Sequence, residues 1–313
     1  MVASLFIFFI GGGLLTLSTQ LDKTWLGFAL LFLIAATGRF ASSVLLTQMH
    51  DPDNTPITES RVFADTLRNF KAIWQDKTFR HYSLFVAGMQ GMVAISAPYF
   101  AVYMLQDLQF SYFQFVTASV VSIVVQFLSL RLWGRFSDRF GNHFVMISTS
   151  CLLPCLPLLW IFSTDFIYIL LVQAVSGFAW SGFNLCTANY LYDIRPHRSD
   201  FATYAALQAA LGASLVFIGA LVGGVITSYA EPLVAAAALQ DYLASALFVV
   251  FIASSVLRAL ITAWFIPRSV EPKIRPRPKI LAVVYRVARF NAISGVSLDW
   301  LTVVKRRSPN DRE

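Results

Sequence analysis

Apolar residues fall into eight long runs, separated by short polar or charged stretches. The runs are roughly Val2 to Thr19, Trp25 to Leu46, Tyr82 to Leu105, Tyr112 to Trp133, Phe144 to Phe162, Phe166 to Tyr190, Ala202 to Thr227 and Tyr242 to Ile266. A helix needs about 20 mainly apolar residues to cross a bilayer. The pattern therefore predicts an all-α, polytopic membrane helix bundle of about eight spans.

The connections alternate in charge. Asp107 to Ser111, Ser163 to Asp165 and Ser228 to Asp241 carry no Lys or Arg, and Gln20 to Thr24 carries only Lys23. The opposite set holds Arg61, Arg68, Lys71, Lys77 and Arg80, then Arg131, Arg135 and Arg139, then Arg195 and Arg198. The excess of basic residues in cytoplasmic loops places this second set, and both termini, on the cytoplasmic side of an inner (cytoplasmic) membrane. A cleaved signal peptide is the other reading of the first run. Without a basic leader or a small-residue cleavage site before Asp22, a retained helix fits better.

Two stretches do not span. Thr47 to Arg80 is broken by Asp51-Pro52 and Thr55-Pro56, and then places Phe63, Leu67, Phe70 and Trp74 at helical spacing. It reads as an amphipathic helix in a cytoplasmic linker, lying on lipid or packed on protein. The tail after Pro267 begins as a basic spacer around Pro272, Pro276 and Pro278, then becomes too interrupted by Arg286, Arg289 and Asp299 to cross.

Composition narrows the class: 57% of residues are hydrophobic and only 13% charged, against about a quarter charged in soluble domains. The net charge of +7 sits in membrane-flanking loops and the tail, so membrane lipid, not nucleic acid, is the expected partner. Cys151, Cys155 and Cys186 lie in apolar runs, without C-x-x-C spacing or a nearby histidine, and predict neither a metal site nor a cofactor. No phosphate loop, H-E-x-x-H or G-x-S-x-G occurs, and His50, His81, His143 and His197 are all read at the cytoplasmic edge. The chain reads as a non-enzyme.

Between the fourth and fifth runs stands Gly134 to His143, G-R-F-S-D-R-F-G-N-H. A charge at the bilayer centre costs at least about 2.5 to 3.5 kcal/mol, so Arg135, Asp138 and Arg139 require a membrane surface. Gly134 and Gly141 are expected to bend the backbone tightly, and Asp138 can accept hydrogen bonds from a neighbouring helix N-terminus. A merely solvated turn is the plainer reading.

The turn resembles the signature loop of major facilitator superfamily (MFS) transporters, roughly G-x-L-[AS]-D-[RK]-x-G-[RK]-[RK]. Gly134, Ser137, Asp138, Arg139 and Gly141 match; Phe136, Asn142 and His143 depart from it. The weaker copy of that loop lies between family spans 8 and 9. On that registration the resemblance implies that residues 1–46 are family spans 5 and 6, 47–80 the central cytoplasmic loop and 81–267 a C-terminal six-span half with inverted 3+3 repeats. Residues 268–313 are then a basic cytoplasmic tail. It also implies a secondary active transporter of a small molecule by alternating access, truncated at the N-terminus and lacking partner spans 1 to 4. Asp138 would brace the helix that starts at Met1. A non-transporting scaffold or sensor of the same fold is the alternative. The glycine-rich Gly219 to Gly224 is similar to a motif some members carry in span 5, but helix packing explains it well.

Candidate substrate-binding residues are the polar groups within the runs: Gln90, Gln126, Gln173, Trp180, Asn184 and Gln208. Gln173, Gly177, Trp180 and Asn184 share one helix face. Each amide can equally serve as interhelical glue. Pro98 is read as a bending point, and Pro154 and Pro157 as packing only. Arg39 is read as the only deep charge.

Overall fold

In hydrocarbon a backbone N–H or C=O finds no water, so each apolar run must close its own hydrogen bonds. The computed structural model describes residues 2–48, 73–194, 201–236 and 245–269, and these contain helices and no strand. The helices are α1 (Val2–Gln20), α2 (Thr24–Thr47), α3 (Lys77–Val102), α4 (Tyr112–Phe140), α5 (Asn142–Leu152), α6 (Cys155–Leu159), α7 (Phe166–Ile194), α8 (Phe201–Ala236) and α9 (Phe248–Phe265). All belong to one compact unit, Met1–Ile274. Among the described residues seven segments are long and apolar enough to cross a membrane, α5 and α6 together making one of them. The 19-residue α1 occupies the first apolar run. The linker helix expected over Phe63 to Trp74 and the basic tail fall largely or wholly outside the described residues.

Local chemistry sets several ends. Asp76 caps α3, its carboxylate accepting from the Thr78 and Phe79 N–H groups at 2.9 and 3.3 Å. Ser111 and Gln114 form a reciprocal capping box at the start of α4. Beyond Val102, α3 continues as a π turn, Tyr103–Asp107.

The packing pairs helices by a rule. Among α3 to α9 the two most extensive contacts are α3 with α8 and α4 with α7, followed by α5 with α7 and α9 with α3. Exchanging α3 with α7, α4 with α8 and α5/α6 with α9 turns each member of those pairs into the other. Because successive spans reverse direction, α3 and α7 run oppositely. The six spans are thus two inverted three-span repeats, in agreement with the expected architecture.

Both principal seams depend on close backbone approach. A Cβ at Gly219 would run into the Gly91 carbonyl across the α3/α8 seam, and one at Gly177 into the Ser122 carbonyl across α4/α7. Gly219 and Gly223 are buried against α3, so the glycine-rich stretch of α8 is packing surface. The α4/α7 seam adds a Ser129 to Ser181 hydroxyl pair at 2.7 Å and a Trp133 indole N–H donating to the Phe178 carbonyl at 2.9 Å.

Two helices outlast the expected spans. α4 continues through Phe140, so Gly134 is helical; only Gly141, at φ 96°, makes the turn. The expectation of a tight bend at Gly134 is thereby corrected. Arg135, Asp138 and Arg139 are all exposed at this helix end, so their charge does not require the helix to stop. α8 likewise continues past Thr227, through Pro232, to Ala236.

A candidate ligand cavity between the repeats

Two buried clusters lie along the bundle. One centres on Phe79, Phe85, Met146, Phe183, Tyr190 and Phe265, the other on Tyr103, Trp160, Ile169, Phe248 and Phe251. A partly enclosed cavity of about 240 Å³ opens where they meet. Its walls are Val93, Ala97 and Phe100 of α3, Gln173, Ser176 and Trp180 of α7, Leu156 of α6, and Trp160 and Arg258. α3 and α7 exchange under the repeat symmetry, so the cavity lies between equivalent helices of the two repeats. It is smaller than the roughly 300 to 1,000 Å³ typical of drug-sized sites, which suits a small molecule.

Arg258 is the principal residue missed by the reading that made Arg39 the only deep charge. Arg39 is exposed on α2, whereas Arg258, within α9, is only 2% exposed. The prolines of the α5/α6 break explain how it is held. Pro154 and Pro157 have no N–H, which removes the ordinary helical donors to the carbonyls four residues earlier, Ser150 and Leu153. Thr262 donates to the Ser150 carbonyl at 3.3 Å, Arg258 Nη1 to the Leu153 carbonyl at 3.3 Å, and Ser255 to the Pro154 carbonyl. Ser255, Arg258 and Thr262 stand three and four residues apart, one face of α9. The expectation that the two prolines serve packing alone is therefore corrected: they expose acceptors that orient the arginine.

On the other side, Arg258 Nη2 donates to Ser96 Oγ at 2.8 Å, Ser96 to Ser254 Oγ at 3.0 Å, and Ser254 to the Met92 carbonyl at 2.7 Å. This relay ties α9 to α3, in a low-dielectric setting where linked hydrogen bonds reinforce one another. Two of the five guanidinium N–H groups are thus used. Among the described residues Arg258 has no carboxylate partner, and its Nε–H has no acceptor.

The six candidate side chains separate. Gln173 and Trp180 line the cavity. Asn184 is exposed on α7: it shares their face, but lies eleven residues, roughly 16 Å at 1.5 Å per residue, beyond Gln173. Gln90 is exposed on α3, with its Oε1 against Gly212. Gln126 is half-buried on α4, its backbone beside Gly177. Gln208 is half-buried on α8, and neither amide atom has a hydrogen-bond partner among the described residues. Ser176, Trp160 and Arg258 complete the cavity in their place.

The motif at the end of α4 is separate from the cavity. Gly141 N–H returns to the Ser137 carbonyl at 2.8 Å. Buried Ser137 donates to Asn142 Oδ1, and Asn142 Nδ2 donates to Asp193 Oδ2 at 2.7 Å. Asn142, a departure from the signature, therefore fastens the turn to the end of α7. Arg139 lies 5.4 Å over the Phe140 ring. His143, read from sequence as an edge residue, is buried, 5.8 Å from the Tyr190 ring. The start of the helix that Asp138 was expected to brace, Met1, falls outside the described residues. Among the described residues no cluster of His, Cys, Asp or Glu could hold a metal ion.

A family model described as Major Facilitator Superfamily matches residues 81–308. Comparison with curated proteins finds no matching relative.

Proposed function

Because the chain belongs to the Major Facilitator Superfamily, we propose that it is a secondary active transporter, moving a small molecule by alternating access through the cavity between α3 and α7. The observation that carries this reading is the position of the cavity, between the equivalent helices of two inverted repeats and near the middle of the spans, where carriers of this architecture bind substrate. Gln173, Ser176, Trp160, Trp180 and Arg258 contact the substrate there. Gln90, Gln126, Asn184 and Gln208 serve helix contacts or later stages of the cycle.

In this proposal α1 and α2 correspond to the fifth and sixth family spans, and residues 81–267 form the C-terminal half. The motif at Gly134, Ser137, Asp138, Arg139 and Gly141 acts on conformation. Gly141 sets the turn, Ser137 and Asn142 hold it to α7, and exposed Asp138 is placed to meet the other half in one state of the cycle. The protein sits in the cytoplasmic membrane, with this motif and both termini facing the cytoplasm.

The test is reconstitution of the protein into liposomes loaded with a mixture of small metabolites, followed by mass spectrometry of the contents. The proposal expects one chemical class to leave wild-type vesicles but not vesicles carrying Ala97→Trp, which fills the cavity. Equal retention of every solute in both would overturn it.

A further inference from the structure

We propose that the cavity takes a small organic anion, a monocarboxylate with a flat apolar body, held by Arg258. This deepens the transport proposal and rests on the cavity being the substrate site. The first support is electrostatic. A guanidinium at mid-depth is expensive, and among the described residues no carboxylate lines the cavity or pairs with Arg258. A charge of that kind is normally paired, and a bound anion supplies the counter-charge.

The second support is geometric. Leu153 and Ser96 take one N–H from each terminal nitrogen. Nε–H, on a side chain that is 98% buried, has no partner among the described residues, and the residue whose planar fork suits a carboxylate lines the cavity. The same two bonds fix the fork before any ligand arrives, so little side-chain freedom is lost on binding. The third support is the rest of the wall. Phe100, Trp160 and Trp180 offer ring surfaces for a planar apolar body, and Gln173 and Ser176 add uncharged polar groups for secondary contacts. A cationic ligand would meet Arg258 with no compensating carboxylate among the described residues.

Benzoate, benzamide and benzylamine share a ring and differ in charge, and they serve as probes. Purified protein in nanodiscs of zwitterionic lipid, so that no anionic headgroup competes, is melted with each at millimolar concentration. Benzoate should raise the melting temperature, whereas benzamide and benzylamine should not. Arg258→Gln should weaken benzoate at least about tenfold, as expected for loss of a charge-assisted pair. Should that variant fail to fold, Ala97→Trp, which leaves the arginine network intact, should abolish the shift. Equal stabilisation by benzoate and benzamide, or an unchanged benzoate response in Ala97→Trp, would overturn the inference. So would the absence of any shift in wild type, and the liposome assay would then decide the transport proposal separately.

Discussion

The end of α4 and the middle of α9 both carry arginine, under opposite physical conditions. At the end of α4, Arg135 and Arg139 are exposed, and Arg139 lies over the Phe140 ring. In α9, Arg258 is buried and held by a proline-freed carbonyl and a serine relay. A charge at a helix end needs only water. A charge at mid-depth needs a built environment. On the proposed reading, the contrast separates a place where charge acts on conformation from a place where charge binds.

Substitution breaks the comparison most sharply at Arg258. Arg258→Leu relieves burial of a charge, at least about 2.5 to 3.5 kcal/mol, while orphaning two acceptors at about 1 to 3 kcal/mol each. These effects nearly cancel, so the melting temperature should move little. Affinity for an anionic ligand should fall by about 2 to 5 kcal/mol, read by titration. Arg139→Leu should leave that affinity unchanged; an equal loss would remove the distinction between the two regions.

The seams come next in size. Gly177→Leu and Gly219→Leu each force a side chain onto a facing carbonyl and should destabilise by about 1 to 3 kcal/mol or more, seen as loss of monodisperse protein in detergent. The repeat symmetry expects the two to be comparable, and tolerance of one alone would break it. Within the motif the glycines should differ in sign. Gly141→Ala, at φ 96°, should cost about 1 to 2 kcal/mol. Gly134→Ala, in a helix with nothing within 4 Å of the added carbon, should gain about 0.5 to 1 kcal/mol. Thermal melts of the pair would show it. The smallest effect on the fold belongs to Asp138→Asn. Membrane insertion should be normal, and the transport rate should fall through loss of a contact worth up to about 2 kcal/mol. Unchanged uptake would remove the conformational role of that carboxylate.

The spans were legible because a bilayer imposes one length and one polarity on every crossing; among the described residues seven segments are long and apolar enough to cross against the eight expected, and α1, over the first apolar run, is not among the seven. The ends were less legible. Gly134 looked like a hinge, although glycine can remain helical where packing and solvent permit, and α8 runs on to Ala236 with Pro232 inside it, a residue that ordinarily signals a stop. For the cavity, Gln173 and Trp180 were legible from helical spacing, but spacing defines a face and not a depth, and so Asn184 was included. Arg258 was hidden by the apolar average of its run. Its signal was local: Ser254, Ser255 and Thr262 stand four before, three before and four after it, a polar stripe on an otherwise apolar helix. Pairing that stripe with the Ser150, Leu153 and Pro154 carbonyls required the fold.

The central claim is that water and ligand reach the space between α3 and α7 while the outer bundle faces lipid. Replacing Cys151, Cys155 and Cys186 and then introducing cysteine at Ala97, on the cavity wall, or at Leu128, 68% exposed on α4, allows labelling in liposomes with a membrane-impermeant maleimide. The account predicts rapid modification at position 97, slowed by benzoate, and none at position 128. Labelling at 97 no faster than at 128 would contradict it.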